Sequence, residues 1–209
     1  KITKKITKKD TVDEQAIGEV WLGHLRYGTH GNNQLDYCHP MIRPNSWKSR
    51  SMLLAGNFNM TNVEELFSSV VKMGQHPQGT SDTITILERM AYFLDQENQR
   101  IYEIHKDRFS NEEISPILEE HIQIENILSN TCAELDGGYA IAGMLGYGLS
   151  FVVRDPAGIR PAYYYADDEV VVVASEKPAI KTAFNVQYSE IKEIEPGSAL
   201  IITKKGDFY

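Results

Sequence analysis

The apolar residues of this chain fall into three textures. From 19 to 58 they come in short unbroken runs. "EVWLGHLRY" at 19–27 and "SMLLAGNF" at 51–58 are apolar on both faces, the pattern of strands buried between two layers. The second of these is expected to end in a Gly-Asn turn. Residues 28–50, with their Gly, Asn and Pro, read as a long loop, and loops of that length usually carry function. From 61 the period becomes helical. Val63, Leu66, Phe67, Val70 and Val71 predict a helix over 61–73, with Thr61 and Glu64 in capping-box register and Gly74 as its stop. A second, long helix starts at Ser81 as N-cap and carries Ile84, Leu87, Ala91 and Leu94 on one face. A third is predicted between 112 and 134, with Ser115-Pro116 as cap and first helical residue and "DGG" at 136–138 as its end. Beyond it the short runs return, "YAIAGML", "SFVVRD", "PAYYYA" and "EVVVVAS", with turn residues between them. They predict an antiparallel meander, followed by a helical stretch over Lys177–Ala183 and a closing hairpin, "SALIITKKGDFY". Strands, then helices, then strands imply an α+β layered fold in one domain; the regular alternation of a doubly wound sheet is missing.

Composition narrows the function classes. The 209 residues are 42% hydrophobic and 24% charged, which is ordinary for a globular domain. A net charge of −8 argues against nucleic acid as the main partner. The longest pure apolar run, "VVVVA" at 170–174, is strand-sized and far short of a membrane span. Cys38 and Cys132 have no metal-ligand spacing and read as thiols of a reducing compartment, hence a cytoplasmic expectation. The doubled basic opening, "KITKKITKKD", is either a solvated lead-in or a nucleic-acid arm, and the acidic remainder favours the lead-in. With no initiator Met and no signal peptide, the chain is expected to be part of something longer.

Three positions offer chemistry. Arg26, at the end of a strand expected to be buried, needs a carboxylate, which either a core acid or a ligand can supply. Asp82 stands in the first turn of the second helix, where it caps that helix or holds a ligand ammonium. Asn57 either makes the turn in "AGNFN" or aims a carboxamide donor at an oxyanion. Spacing alone does not show that these residues share a pocket. The six histidines are scattered: none has zinc spacing, His24 reads as a packed core residue, and His121 reads as partly exposed. "GYGLS" joins two strands and opens no helix, so it is no phosphate loop.

Taken together and in order, "GHLRYGTHG", "GNFNMTN", "SDT", "GGYAI", "RDPAGIRP", "ASE" and "EIEPGSALII" resemble the glutaminase domain of the N-terminal-nucleophile glutamine amidotransferases. Within that family "RDPAGIRP" followed by "ASE" is most similar to the amidophosphoribosyltransferases, the glycosyltransferases that open purine biosynthesis. The resemblance implies a four-layer αββα sandwich, with its first strands missing upstream of Lys1. It implies Arg26 and Thr29 at the α-carboxylate of glutamine, Asp82 at its α-ammonium and Asn57 at the oxyanion. Two departures stand out. Phe58 replaces the glycine of the family's His-Asn-Gly-Asn motif. The N-terminal Cys that serves as nucleophile, with its own α-amine as base, is absent, so the 209 residues are expected to be an inactive, truncated glutaminase domain of a homo-oligomeric parent. No metal or cofactor is implied for this part; magnesium is expected in a phosphoribosyltransferase half not present here. A non-catalytic glutamine-binding or scaffolding domain, or the glutaminase of another amidotransferase such as asparagine synthetase, stays open as an alternative.

Overall fold

Runs such as "YYYA" and "VVVA" lack polar positions because both of their faces are covered. A computed structural model describes residues 18–25, 38–79 and 81–209. In chain order its elements are β1 (Met41–Arg43), β2 (Met52–Met60), α1 (Val63–Lys72), α2 (Asp82–His105), α3 (Asn111–His121), α4 (Ile124–Cys132), β3 (Gly137–Leu145), β4 (Ser150–Arg154), β5 (Tyr163–Ala166), β6 (Val171–Ala174), α5 (Lys177–Phe184), β7 (Lys192–Glu193) and β8 (Ala199–Ile202). Among the described residues two antiparallel sheets form: a five-stranded one in the order β1-β2-β3-β4-β8 and a three-stranded one in the order β6-β5-β7.

Alternation along each strand then sorts the side chains into layers. Leu54, Tyr139, Ile141, Phe151, Val153 and Ile201 face the helices and build one core with Ile86, Met90, Leu94, Ile114, Leu118 and Ile127. The intervening residues, Ala140, Ala142, Val152 and Leu200, turn the other way and meet Ala162, Tyr164, Val171 and Val173 of the second sheet region. The second sheet repeats the arrangement, since Tyr163, Tyr165, Val172 and Ala174 pack outward against Ile180, Val186 and Ile191. The result is helices, sheet, sheet, helix. That is the α+β, four-layer αββα sandwich that the resemblance implies.

Several local expectations give way to tertiary pairing. The strand predicted at 19–27 is not formed in its described part: residues 18–25 are irregular, and Val20, Trp21 and Leu25 are 41%, 63% and 101% exposed. An apolar run becomes a strand only where a neighbour takes its N–H and C=O groups, and no ladder among the described residues includes this one. The described part of the long loop, from Cys38 on, contains β1. The capping box expected for α1 is absent: Asn62 is the N-cap, its side chain making no capping bond to the helix, because the Thr61 hydroxyl donates to Asp136 at 2.5 Å instead. The single helix predicted over 112–134 is two. Ser110, not Ser115, is the first cap, in a reciprocal box with Glu113, and Pro116 lies inside α3. The extended backbone of Ile122 then separates α3 from α4. The meander is split as well, with β3 and β4 in one sheet and β5 and β6 in the other. Gly74, at φ +86°, stops α1 as expected. No described helix is long and apolar enough to cross a membrane.

Candidate functional site

The stretch expected to turn at Gly56-Asn57 continues as strand. β2 pairs with β3 along its whole length, with Gly56 opposite Ile141, Asn57 opposite Ala140 and Met60 opposite Gly137. This ladder supersedes the local turn preference of Gly-Asn. Gly56 is needed for a different reason: a Cβ there would lie 2.4 Å from the Phe58 ring and 2.5 Å from the Ala140 carbonyl oxygen. Phe58 packs toward the helical core, so Asn57, its neighbour, points to the inter-sheet side. Asn57 is exposed, and its carboxamide remains available to a ligand.

Asp82 sits where the sequence places it. Ser81 is the N-cap of α2 and accepts from the Ile84 N–H at 3.3 Å, and Asp82 is the first helical residue, at the positive end of the helix dipole. Its Oδ1 accepts from the Thr83 N–H at 2.7 Å and from the Thr83 hydroxyl at 3.3 Å.

His39 joins these two elements. Gly56 N–H donates to His39 Nδ1 at 3.3 Å, and His39 Nε2 lies 3.1 Å from Thr83 Oγ1. Register explains the first bond. β1 pairs Met41 with Leu54 and Ile42 with Leu53, so Gly56 faces position 39, where the ladder has already ended and the imidazole takes the N–H in place of a carbonyl. The ring centroid also lies 4.5 Å from that of His24 and 5.9 Å from that of Phe58, tilted against both. Sequence reasoning missed this residue, because only the β1–β2 register brings it to Gly56. Arg26 and Thr29 lie outside the described residues.

The motif "RDPAGIRP" is structural. In it the buried Asp155 carboxylate accepts from the backbone N–H of Ile159 at 2.8 Å, Arg160 at 2.9 Å and Tyr139 at 3.3 Å. Burial pushes this carboxyl up, but those N–H groups more than offset it and hold it below the ordinary carboxylate value. Arg154, also buried, donates to the carbonyls of Arg160, Ile194 and Gly158 and to Glu193. Cys132 is an unsuitable nucleophile: burial raises its thiol above the ordinary value, against smaller opposing effects of Tyr139 and Arg89. Among the described residues no group of three or more His, Cys, Asp or Glu is arranged to hold a metal ion. An open groove lined by Asn45, Trp47, Arg50, Gln99 and Tyr102 reaches α2 about 25 Å along the helix from Asp82, at 1.5 Å per residue.

Two antiparallel sheets stacked between helical layers, with an acid at a helix start and a carboxamide on the adjoining sheet, define the class: an N-terminal-nucleophile-type sandwich, the fold shared with the solved neighbours. The chain belongs to the glutamine amidotransferase domain family, whose sequence pattern matches residues 37–182. It is 27% identical over 202 residues to the amidophosphoribosyltransferase of Pseudomonas aeruginosa, covering 94% of this chain and 36% of that protein. Over 189 residues it is 27% identical to the Bacillus subtilis amidophosphoribosyltransferase, covering 90% of this chain and 33% of the other. The structure of glutamine phosphoribosylpyrophosphate amidotransferase from B. subtilis, complexed with ADP and GMP, superposes with a TM-score of 0.59 at 25% identity, over 89% of this chain and 33% of that one. The chain thus spans about a third of the length of the relatives it matches.

Proposed function

We propose that this chain binds L-glutamine and serves the release of its amide nitrogen as ammonia in an amidophosphoribosyltransferase-type enzyme, where the ammonia goes to phosphoribosyl diphosphate in purine biosynthesis. The observation that carries the reading is Asp82: a carboxylate at the start of α2, oriented through Oδ1 by Thr83, suits an α-ammonium at Oδ2. Asn57, exposed on the adjoining strand, supplies the carboxamide donor that a tetrahedral oxyanion requires. Arg26 and Thr29 complete the reading by taking the α-carboxylate. Cys38 and Cys132 are internal and have no α-amine, so neither is assigned the nucleophile's part. The same reading gives the enzyme a cytoplasmic, homo-oligomeric setting and assigns magnesium to the phosphoribosyl chemistry.

The test compares two ligands by calorimetry: L-glutamine and 4-carbamoylbutanoate, which is glutamine without its α-amine. Asp82→Asn is expected to weaken glutamine by roughly tenfold to a hundredfold, the value of a charge-assisted bond, and to leave the amine-free analogue unchanged. Equal weakening of both ligands, or no uptake of glutamine by the unsubstituted chain, would refute the assignment.

A further inference from the structure

The geometry points to His39 as a positioning residue for the amino-acid site, acting through a one-directional hydrogen-bond relay from β2 to Asp82; this rests on the glutamine reading above. The direction follows from donor chemistry. Gly56 N–H can only donate, so Nδ1 of His39 is an acceptor and carries no proton. A neutral imidazole then has its proton on Nε2, which donates to Thr83 Oγ1 at 3.1 Å. With its lone pair engaged, the Thr83 hydroxyl turns its own proton to Asp82 Oδ1 at 3.3 Å. A carboxylate can only accept, so the relay ends there, and both Thr83 bonds fall on Oδ1.

This arrangement has two consequences. Oδ1 is occupied and the carboxylate plane is set, so Oδ2 is the oxygen presented to an ammonium. The strand residue next to Asn57 and the helix residue next to Asp82 are also held by one half-buried ring, so the spacing of oxyanion donor and ammonium acceptor is tied to its orientation. His39 touches no reacting atom in this scheme. It orients, and it is not a base.

The relay predicts a split among substitutions that a packing role does not. His39→Asn keeps an acceptor near Gly56 but loses the Thr83 end, whereas His39→Gln can carry an N–H to Thr83. In the full chain, titrated with L-glutamine, His39→Ala and Thr83→Val are each expected to lose about tenfold in affinity. The double variant should lose no more than about twofold beyond either single one, because both break the same relay. His39→Gln should stay within about threefold of the unsubstituted chain, and His39→Asn should resemble His39→Ala. Long-range proton–nitrogen spectra of the imidazoles should show His39 as the Nε2–H tautomer, and urea unfolding of each variant confines the comparison to folded protein. An Nδ1–H tautomer, additive losses in the double variant, or rescue by Asn and not by Gln would overturn the relay. If the unsubstituted chain binds glutamine and all variants bind it equally, only the positioning role falls. If it binds none, the glutamine reading falls and takes the positioning role with it.

Discussion

Asp155→Asn is the substitution with the most to lose for the smallest change in shape. The Asp155 side chain is 0% exposed, and its two oxygens face three backbone donors, the N–H groups of Ile159, Arg160 and Tyr139. A carboxylate satisfies them all, but a carboxamide offers one oxygen and turns an NH2 toward at least one of those donors. The loss is one charge-assisted bond plus one backbone N–H left unpaired, about 3–5 kcal/mol together. That is a large share of the roughly 5–15 kcal/mol that holds a domain. In urea, at a slope of about 2 kcal/mol/M, the midpoint should fall by about 2 M with the slope unchanged. Acid supplies a second readout. The folded pKa of Asp155 lies below its ordinary 3.8, so the unfolded chain takes up the proton first as pH falls. The carboxylate's contribution is therefore complete above about pH 5, declines as pH drops below the ordinary value, and is lost once pH passes the folded pKa. The gap between the unsubstituted chain and Asp155→Asn should be constant from about pH 7 to 5 and narrow below about pH 4. A midpoint shift under about 0.3 M, or a gap indifferent to acid, would show that the N–H cradle does not stabilise this turn.

Arg89, 2% exposed, donates to the carbonyls of Thr131 and Asn130 and to Glu134, closing the end of α4. Arg89→Met should cost about 3 kcal/mol in urea unfolding, with amide exchange accelerated in α4 before α5; uniform acceleration would contradict a local cap. Gly143 lies opposite Phe151, whose ring would be 2.2 Å from an added Cβ. Gly143→Ala should therefore cost about 2 kcal/mol in the Phe151 background and clearly less beside Phe151→Leu, and equal costs in the two backgrounds would refute the steric account.

Much of this protein was decided within a few neighbouring residues. The α2 start at Ser81-Asp82, the stop at Gly74 and the strand runs of β3 to β6 depend on caps, φ preferences and periodicity, all local. For that reason Asp82 was legible as a helix-start carboxylate. Asn57 was legible as a residue type but not as a strand residue, because the β2–β3 ladder recruits residues that are some eighty positions apart and outweighs a two-residue turn preference. Thr61 could not be denied its cap from sequence, since Asp136 arrives from the far side of four helices. The split of the meander into two sheets depends on which faces stack, and the place of His39 depends on a register set by Met41 and Leu54. Local chemistry chose the elements; the choice among their possible pairings was left to the surfaces they bury together, and the link between Gly56 and Asp82 exists only once that choice is made.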